Sequence, residues 1–198
     1  MNTAMPPQWA DVVLRILLAP QDRQTVSGDL LEEYRERIHP ARGRRRADLW
    51  YVSQVAGFAW RGNRTWAGLL GSAFVARTAL DWLLPTSDFH ARSMVSTIVS
   101  AGIFVCAGFL AAWRSSSLRA GGLAGVATAL IGATISIVGA ALLLAIWHDA
   151  ATFAAIEGSG GLGEVFTLPV LLVVPGALLG TLGGLVGGTI RRLAPHSQ

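Results

Sequence analysis

The feature that most constrains this 198-residue chain is a series of long apolar runs that begins near Trp66. A transmembrane helix needs about 20 mainly apolar residues, and each run meets that length. Only the first run contains charged residues, and water-soluble helices seldom stay uncharged for so long. The four runs cover about 65–84, 94–113, 120–147 and 166–190. We therefore predict an all-α membrane protein in which residues 65–192 form a four-helix transmembrane bundle.

The first third of the chain differs, because most of the charged residues lie before Trp66. An amphipathic first helix is predicted by apolar residues that recur at helical spacing and form one stripe: Trp9, Val12, Val13, Ile16 and Leu17. A second amphipathic helix is predicted over about 21–38, and His39-Pro40 and Gly43 are expected to interrupt the chain after it. Residues 1–64 are thus expected to form a short helical head, and 193–198 a tail.

The distribution of arginine predicts the orientation of the chain. Ten of the 16 arginines precede Trp66, and four others lie after the second and fourth runs: Arg114, Arg119, Arg191 and Arg192. Cytoplasmic loops carry the excess of positive charge, so four crossings with both termini in the cytoplasm of a bacterial inner membrane are expected. With three crossings these last four arginines would lie outside. Tryptophan favours the membrane interface, and four tryptophans lie near run ends: Trp66, Trp82, Trp113 and Trp147.

A basic cluster lies in the head beside aromatic residues. It comprises Arg42, Arg44, Arg45 and Arg46, and Trp50 follows it. Such a combination suits the headgroup region of an anionic leaflet, so these five residues are predicted to contact the inner leaflet. Nucleic-acid binding is the rival interpretation and is disfavoured, because the adjacent membrane runs already account for the charge.

Arg77 and Asp81 are the only charged residues within a proposed span. They lie four residues apart on one helix and can therefore form an ion pair. Ionisable residues inside a membrane are candidates for an ion or proton pathway. A structural role is favoured here, since a long arginine side chain can reach towards the membrane interface.

Glycine recurs at every fourth position of the fourth run, at Gly176, Gly180, Gly184 and Gly188. This spacing gives one helix face a groove that lets another helix approach closely. Gly121 and Gly125 in the third run, with Ala129 and Ala133, are a plausible counterpart. Packing inside the bundle is favoured over a subunit interface, and Pro175 is expected to kink the fourth helix.

The composition excludes several kinds of chemistry. There is no lysine, so neither a Walker A loop nor a Schiff-base enzyme is feasible. Cys106 is the single cysteine, and the four histidines lie far apart in the sequence, which argues against a metal site. A G-x-G-x-x-G match at 158–163 lies in a connection after a membrane run, outside the strand–helix context that binds dinucleotides. We expect no catalytic, cofactor-binding or metal-binding residues, and a protein that is not an enzyme.

Residues in the head resemble a known module. They are Trp9, Leu14-Arg15, Leu17-Leu18, Pro20, Asp22-Arg23, Val26, the stretch 28–37 (GDLLEEYRER), Arg44-Arg45-Arg46, Leu49-Trp50-Tyr51 and Gln54. Together they resemble the permease prefix domain (type 2), which precedes ABC permeases of the macrolide-exporter kind. The resemblance covers about the first 60 residues and implies a cytoplasmic module in a membrane context. Those permeases carry a large extracytoplasmic domain after their first span, whereas here about nine residues separate the first two runs.

The sequence therefore favours a small integral inner-membrane protein that acts as an interaction or accessory module through its head. Its expected partners are membrane lipid and either another membrane protein or a second copy of the chain. The alternative is a component of a transporter for a small solute or an ion.

Overall fold

The computed structural model describes residues 4–86 and 89–193, and these residues form helices and no strand. The prediction of an all-α chain is confirmed. The helices in this part of the chain are α1 (Gln8–Leu17), α2 (Arg23–Glu33), α3 (His39–Leu83), α4 (Phe89–Ser115), α5 (Leu118–Ile146), α6 (Ala150–Gly158), α7 (Gly161–Leu171) and α8 (Val173–Leu193). A π-helical turn, Tyr34–Ile38, joins α2 directly to α3. Except for Leu193, the predicted tail lies outside the described residues.

Three helical segments are long and apolar enough to cross a membrane. They are α4, α5 and the stretch Gly161–Leu193, which α7 and α8 form together. These segments indicate a multi-pass membrane protein. The first predicted run, 65–84, is the C-terminal part of α3 and is not one of the three, since Arg77 and Asp81 lower its hydropathy.

The last apolar segment is longer than the predicted run 166–190, and it is broken. α7 ends at Leu171 and α8 begins at Val173. Pro175 has no N–H, so the carbonyl of Leu171, four residues earlier, loses its helical partner. This loss explains why the helix breaks at Leu172, between Pro169 and Pro175.

α3 joins the head to the membrane segments without a linker. Its only non-helical residue is Gly43, whose φ of 71° suits glycine in particular. Pro40 lies in the first turn, where a missing N–H leaves no helical hydrogen bond unmade. His39-Pro40 thus begins a helix, and the predicted interruption occurs at Gly43 alone. The predicted boundary at residue 64 falls inside α3, so the head and the first apolar run share one helix.

The helices beyond residue 65 pack as a bundle in which α8 contacts both α4 and α5, and α3 lies along α5. Leu70, Phe74 and Phe104 belong to its central core. We call the end where α4 finishes and α5 begins the head end, and the opposite end, where α3 finishes, the far end. At the far end Trp82 is buried with Ile156 of α6, so it does not line the membrane interface as the positions of the tryptophans predict.

Candidate functional site

The predicted pair on α3 does come together. The Nε atom of Arg77 lies 3.4 Å from Oδ2 of Asp81, as the four-residue spacing on a helix allows. Both side chains are largely buried, Asp81 at 7% exposure and Arg77 at 16%. Arg77 also donates a hydrogen bond to the Ser96 hydroxyl of α4, at 3.4 Å. The guanidinium thus points into the contacts between helices.

Two further charged residues join this pair, and both lie between the predicted apolar runs. Arg92 of α4 donates from Nη1 to Oδ1 of Asp81 at 3.1 Å and to the carbonyl of Leu80 at 2.9 Å. Glu164 of α7 lies 3.8 Å from Nη2 of Arg77. We call Arg77, Asp81, Arg92 and Glu164 the charged cluster. A signal for it exists in the sequence, since all four lie close to the far ends of neighbouring apolar runs.

The charged cluster is electrically balanced, with two arginines and two carboxylates. Balance matters here, because an unpaired charge in a low-dielectric interior is costly. Removing Asp81 would leave both arginines short of a partner, and breaking a buried pair in this way costs about 3–5 kcal/mol. The cluster therefore ties α3, α4 and α7 together at the far end.

A small cavity lies beside the cluster. Its volume is about 30 Å³, and the residues that line it include Arg77, Asp81, Glu164 and Ser136. Ser136 is 3% exposed and forms part of the cavity wall. A cavity of this size holds about one water molecule if polar partners are available. The cavity therefore suits water or an equally small polar species. Across residues 4–86 and 89–193, no three His, Cys, Asp or Glu side chains are grouped to hold a metal ion.

The glycines of α8 lie against two neighbouring helices. Gly176, Gly180 and Gly184 are buried, and Gly180 meets Gly121 and Gly125 of α5 so closely that a side chain on any of these three would overlap the opposite backbone. Gly188, the last of the predicted series, is partly exposed and lies near the side chain of Leu118. Gly183 and Gly187, on an adjacent face, meet the backbone of α4. This arrangement places the glycine series inside one chain.

The head has a hydrophobic core of its own. Its buried members are Ala10, Leu14, Leu18, Tyr34, Ile38, Ala47, Tyr51 and Val55. The face of α1 that enters this core is not the whole predicted stripe, because Trp9 is 61% and Val12 51% exposed. Ala10 and Leu14 are buried instead, since α2 and α3 pack on that side. The exposed Trp9 and Val12 leave an apolar surface on the head.

Two tyrosines stabilise this core with partly buried hydrogen bonds. The Tyr34 hydroxyl donates to Asp48 at 2.6 Å, and the Tyr51 hydroxyl donates to Asp11 at 3.0 Å. Burial and the hydrogen bond to Asp48 raise the pKa of Tyr34 to about 12. Burial and the neighbouring Asp11 carboxylate raise the pKa of Tyr51 as well. Both phenols therefore remain neutral donors over a wide pH range.

The head is attached to the end of the bundle by an arginine. Arg23 donates from Nη2 to the carbonyl of Ser115, the last residue of α4, at 2.6 Å. Arg191 of α8 donates to the carbonyls of Trp113 and Arg114 in the same turn. The last carbonyls of a helix lack intrahelical partners, and cations are favourable there. Sequence reasoning missed the contact of Arg23, because 92 residues separate it from Ser115.

The basic cluster is exposed. Arg42, Arg44, Arg45 and Arg46 lie on the surface at and after the bend at Gly43, and Trp50 is half-buried beside Tyr51. None of the four arginines has an ion-pair or hydrogen-bond partner in the part of the chain that the structure describes. The structure thus separates Trp50, which packs on the head core, from the arginines, which do not.

Comparison with family models, with curated proteins and with solved structures gave no match for this chain. The resemblance of the head to the permease prefix domain stays a prediction from its residues.

Proposed function

We propose that this is a four-span protein of the bacterial inner membrane with a cytoplasmic head and both termini in the cytoplasm. The packing of α3 supports a crossing by residues 65–84. Leu70 and Gly71 of α3 contact Gly132 and Ile135 of α5, and Gly139, one turn further along α5, contacts Val75 of α3. Since α5 is itself long and apolar enough to span, a helix packed along it shares its depth.

The positions of the arginines support the same topology. Arg114, Arg119, Arg191 and Arg192 all lie at the head end of the bundle, at the end of α4, the start of α5 and the end of α8. Arg92 lies at the far end, and it is paired with Asp81. Cytoplasmic ends of spans carry the positive excess, which favours the head end as the cytoplasmic side.

Topology reporters test this proposal. Fusions after Asp88, Ser116, Ser159 and Gln198 should report outside, inside, outside and inside. Residues 88 and 198 lie outside the described part of the chain, but they serve as fusion sites. An outside location for Ser116 and Gln198 would overturn the four-span topology.

We further propose that the protein works as an accessory or interaction module through its head and is not an enzyme. The arrangement of the head supports this proposal. The head has a separate hydrophobic core, it shares helix α3 with the bundle, and Arg23 connects it to α4 by a hydrogen bond. A unit held so firmly to its membrane anchor presents its surface in a fixed position. Its expected partner is another membrane protein or a second copy of the chain.

Crosslinking from the head tests the accessory function. A photoreactive residue at Trp9, which is exposed on the head, should crosslink to a partner membrane protein or to a second copy in cells. The matched control is Phe153, an exposed aromatic residue of α6 at the far end. Crosslinks of the same pattern from both positions would show that the head has no particular partner.

A transport component is the second candidate, and the cavity beside the charged cluster favours it. The cavity is lined by Asp81, Glu164 and Ser136 near the far end. Purified protein in liposomes that contain a pH-sensitive dye gives a direct measurement of proton flux. The accessory function predicts no flux above empty liposomes, and Arg77→Leu should then lower only abundance. A flux that Arg77→Leu abolishes at normal abundance would favour transport.

A further inference from the structure

The tip of the head, which consists of residues 39–46, lies far from the bundle. Two independent paths along helices give its distance. From Arg64, at the start of the first apolar run, to Arg46 there are 18 residues of α3, which correspond to about 27 Å at 1.5 Å per residue. From Arg23, which contacts the end of α4, to Ile38 there are 15 residues of α2 and the π-helical turn, or about 20 Å.

This distance argues against the predicted contact between the basic cluster and the leaflet. The headgroup layer adds only roughly 5–8 Å to the hydrocarbon on each side. Even if α3 tilted by 40°, the tip would stand about 20 Å above the hydrocarbon. Charges attract an anionic surface over about one Debye length, roughly 8 Å at physiological salt. With residue 64 at the edge of the hydrocarbon, as in the proposed topology, the tip lies beyond the reach of its own leaflet.

The charge of the tip is concentrated: its four arginines are exposed and form no ion pair in the described part of the chain. Residues 39–48 contain four arginines against one acidic residue, Asp48, which accepts the hydrogen bond of Tyr34. Like charges held close together repel one another, and this repulsion opposes folding unless a counter-charge relieves it. The exposed Leu49, at 69%, lies directly beside the arginines. Arginine with a neighbouring apolar residue is typical of protein–protein interfaces.

We propose that the tip, through Arg42, Arg44, Arg45 and Arg46 with Leu49, is the docking surface for an acidic cytoplasmic surface of a partner protein. The proposal rests on the cytoplasmic head of the proposed function and adds the chemistry of its partner. Electrostatic complementarity steers such encounters and selects among partners. The height of the tip means that the partner's acidic surface stands about 20–27 Å from the membrane.

A measurement of height tests the geometry. In a Cys106→Ala background, a donor dye is attached to Arg45→Cys or to Arg64→Cys, and the full chain is placed in nanodiscs that contain an acceptor on the lipid headgroup. Energy transfer should be strong from position 64 and weak from position 45. Equal transfer from both positions would place the tip on the leaflet and overturn the proposal. If the head is not cytoplasmic, the topology reporters reveal it independently of the energy transfer. Failure of the proposed topology and failure of the docking proposal are therefore distinguishable.

A binding measurement tests the chemistry. Full-length protein in neutral-lipid nanodiscs is titrated into a fluorescein-labelled, glutamate-rich peptide of 12 residues, followed by anisotropy. Arg44→Gln with Arg45→Gln should weaken binding about fivefold, since exposed pairs contribute about 0.2–1 kcal/mol each. The matched control, Arg61→Gln with Arg64→Gln, removes two exposed arginines at the base of the head and should change binding less than twofold.

A charge-conserving variant, Arg44→Lys with Arg45→Lys, should retain binding and so exclude a folding defect. An equal loss of peptide binding in the tip variant and in the control variant would overturn the proposal, because the peptide would then show no preference for the tip. Tighter binding of a DNA duplex of the same charge than of the peptide would also overturn it, in favour of nucleic acid.

Discussion

Replacing Gly180 by alanine perturbs a close contact between helices of the bundle. The new Cβ would lie 2.5 Å from the carbonyl oxygen of Gly121 and 3.0 Å from the Cα of Gly125. Ordinary carbon contacts are about 3.5–4.0 Å, so α8 would have to withdraw from α5 by up to about 1 Å. Both opposing atoms belong to backbone and cannot rotate away. The strain therefore extends along the whole crossing.

The size of the effect follows from two opposing terms. Over-packing of a close contact costs about 1–3 kcal/mol, and contact with backbone favours the upper half of that range. Alanine is better than glycine in a helix by about 1 kcal/mol. We expect Gly180→Ala to lower the free energy of unfolding by about 1–2 kcal/mol, a change of roughly 5–30-fold in the unfolding equilibrium.

The assay is SDS-induced unfolding of the purified protein in mixed micelles, followed by tryptophan fluorescence. Gly102→Ala is the matched control, because no atom lies within 4 Å of the Cβ that it would add on α4. That variant should be as stable as the parent or slightly more stable. Equal stability of both variants would refute the close contact between α8 and α5. A change in oligomeric state without a change in unfolding would instead assign the glycine series to a subunit interface.

Three further predictions concern the head and the connection at the far end. Arg23→Gln should weaken the attachment of the head at Ser115 by about 1.5–3 kcal/mol, the usual contribution of a hydrogen bond to a charged group. Limited proteolysis should then cleave the head faster, and an unchanged rate of cleavage would contradict this prediction. Tyr34 and Tyr51 should give no tyrosinate absorbance at pH 10.0, the ordinary pKa of tyrosine. The stability that the neutral phenol of Tyr34 provides should be lost as the pH rises through about 12. A tyrosine titration near pH 10 in the folded protein would show that the phenols are not buried. The hydrogen bonds that Asp149 accepts from the first turn of α6, led by the backbone N–H of Thr152, lower the pKa of Asp149. The cap is therefore present above the ordinary pKa and is lost as the pH falls through the lowered one. Asp149→Ala should lower thermal stability at neutral pH and remove this acid dependence from thermal unfolding, and an unaltered pH profile would count against the cap.

Much of the fold could be predicted from the local composition of the sequence. Apolar character over 20 residues is a local property, so α4, α5 and the segment 161–193 are evident without any knowledge of their neighbours. The four-residue spacing of Arg77 and Asp81 and that of the α8 glycines are equally local, because helix geometry alone puts such residues on one face. For this reason the pair and the glycine face could both be recognised from spacing.

The positions that sequence reasoning missed depend on which helix lies beside which. Arg92 and Glu164 reach the pair on α3 because α4 and α7 begin at the same depth, and Arg23 reaches Ser115 because α2 begins at the end of α4. Trp82 shows the same limit, since its place near a run end suits the membrane interface, yet α6 covers it.

The sequence by itself determined that the chain is helical, that most of it is apolar enough for lipid and that its positive charge is concentrated in the head, because these properties depend on residue type and short spacing. Only the tertiary structure decided that the head continues into α3 as one helix, which face of α1 is buried, and how far the basic tip stands from the bundle. Those outcomes depend on the order and register in which distant helices pack, and hydrophobic periodicity carries no information about either.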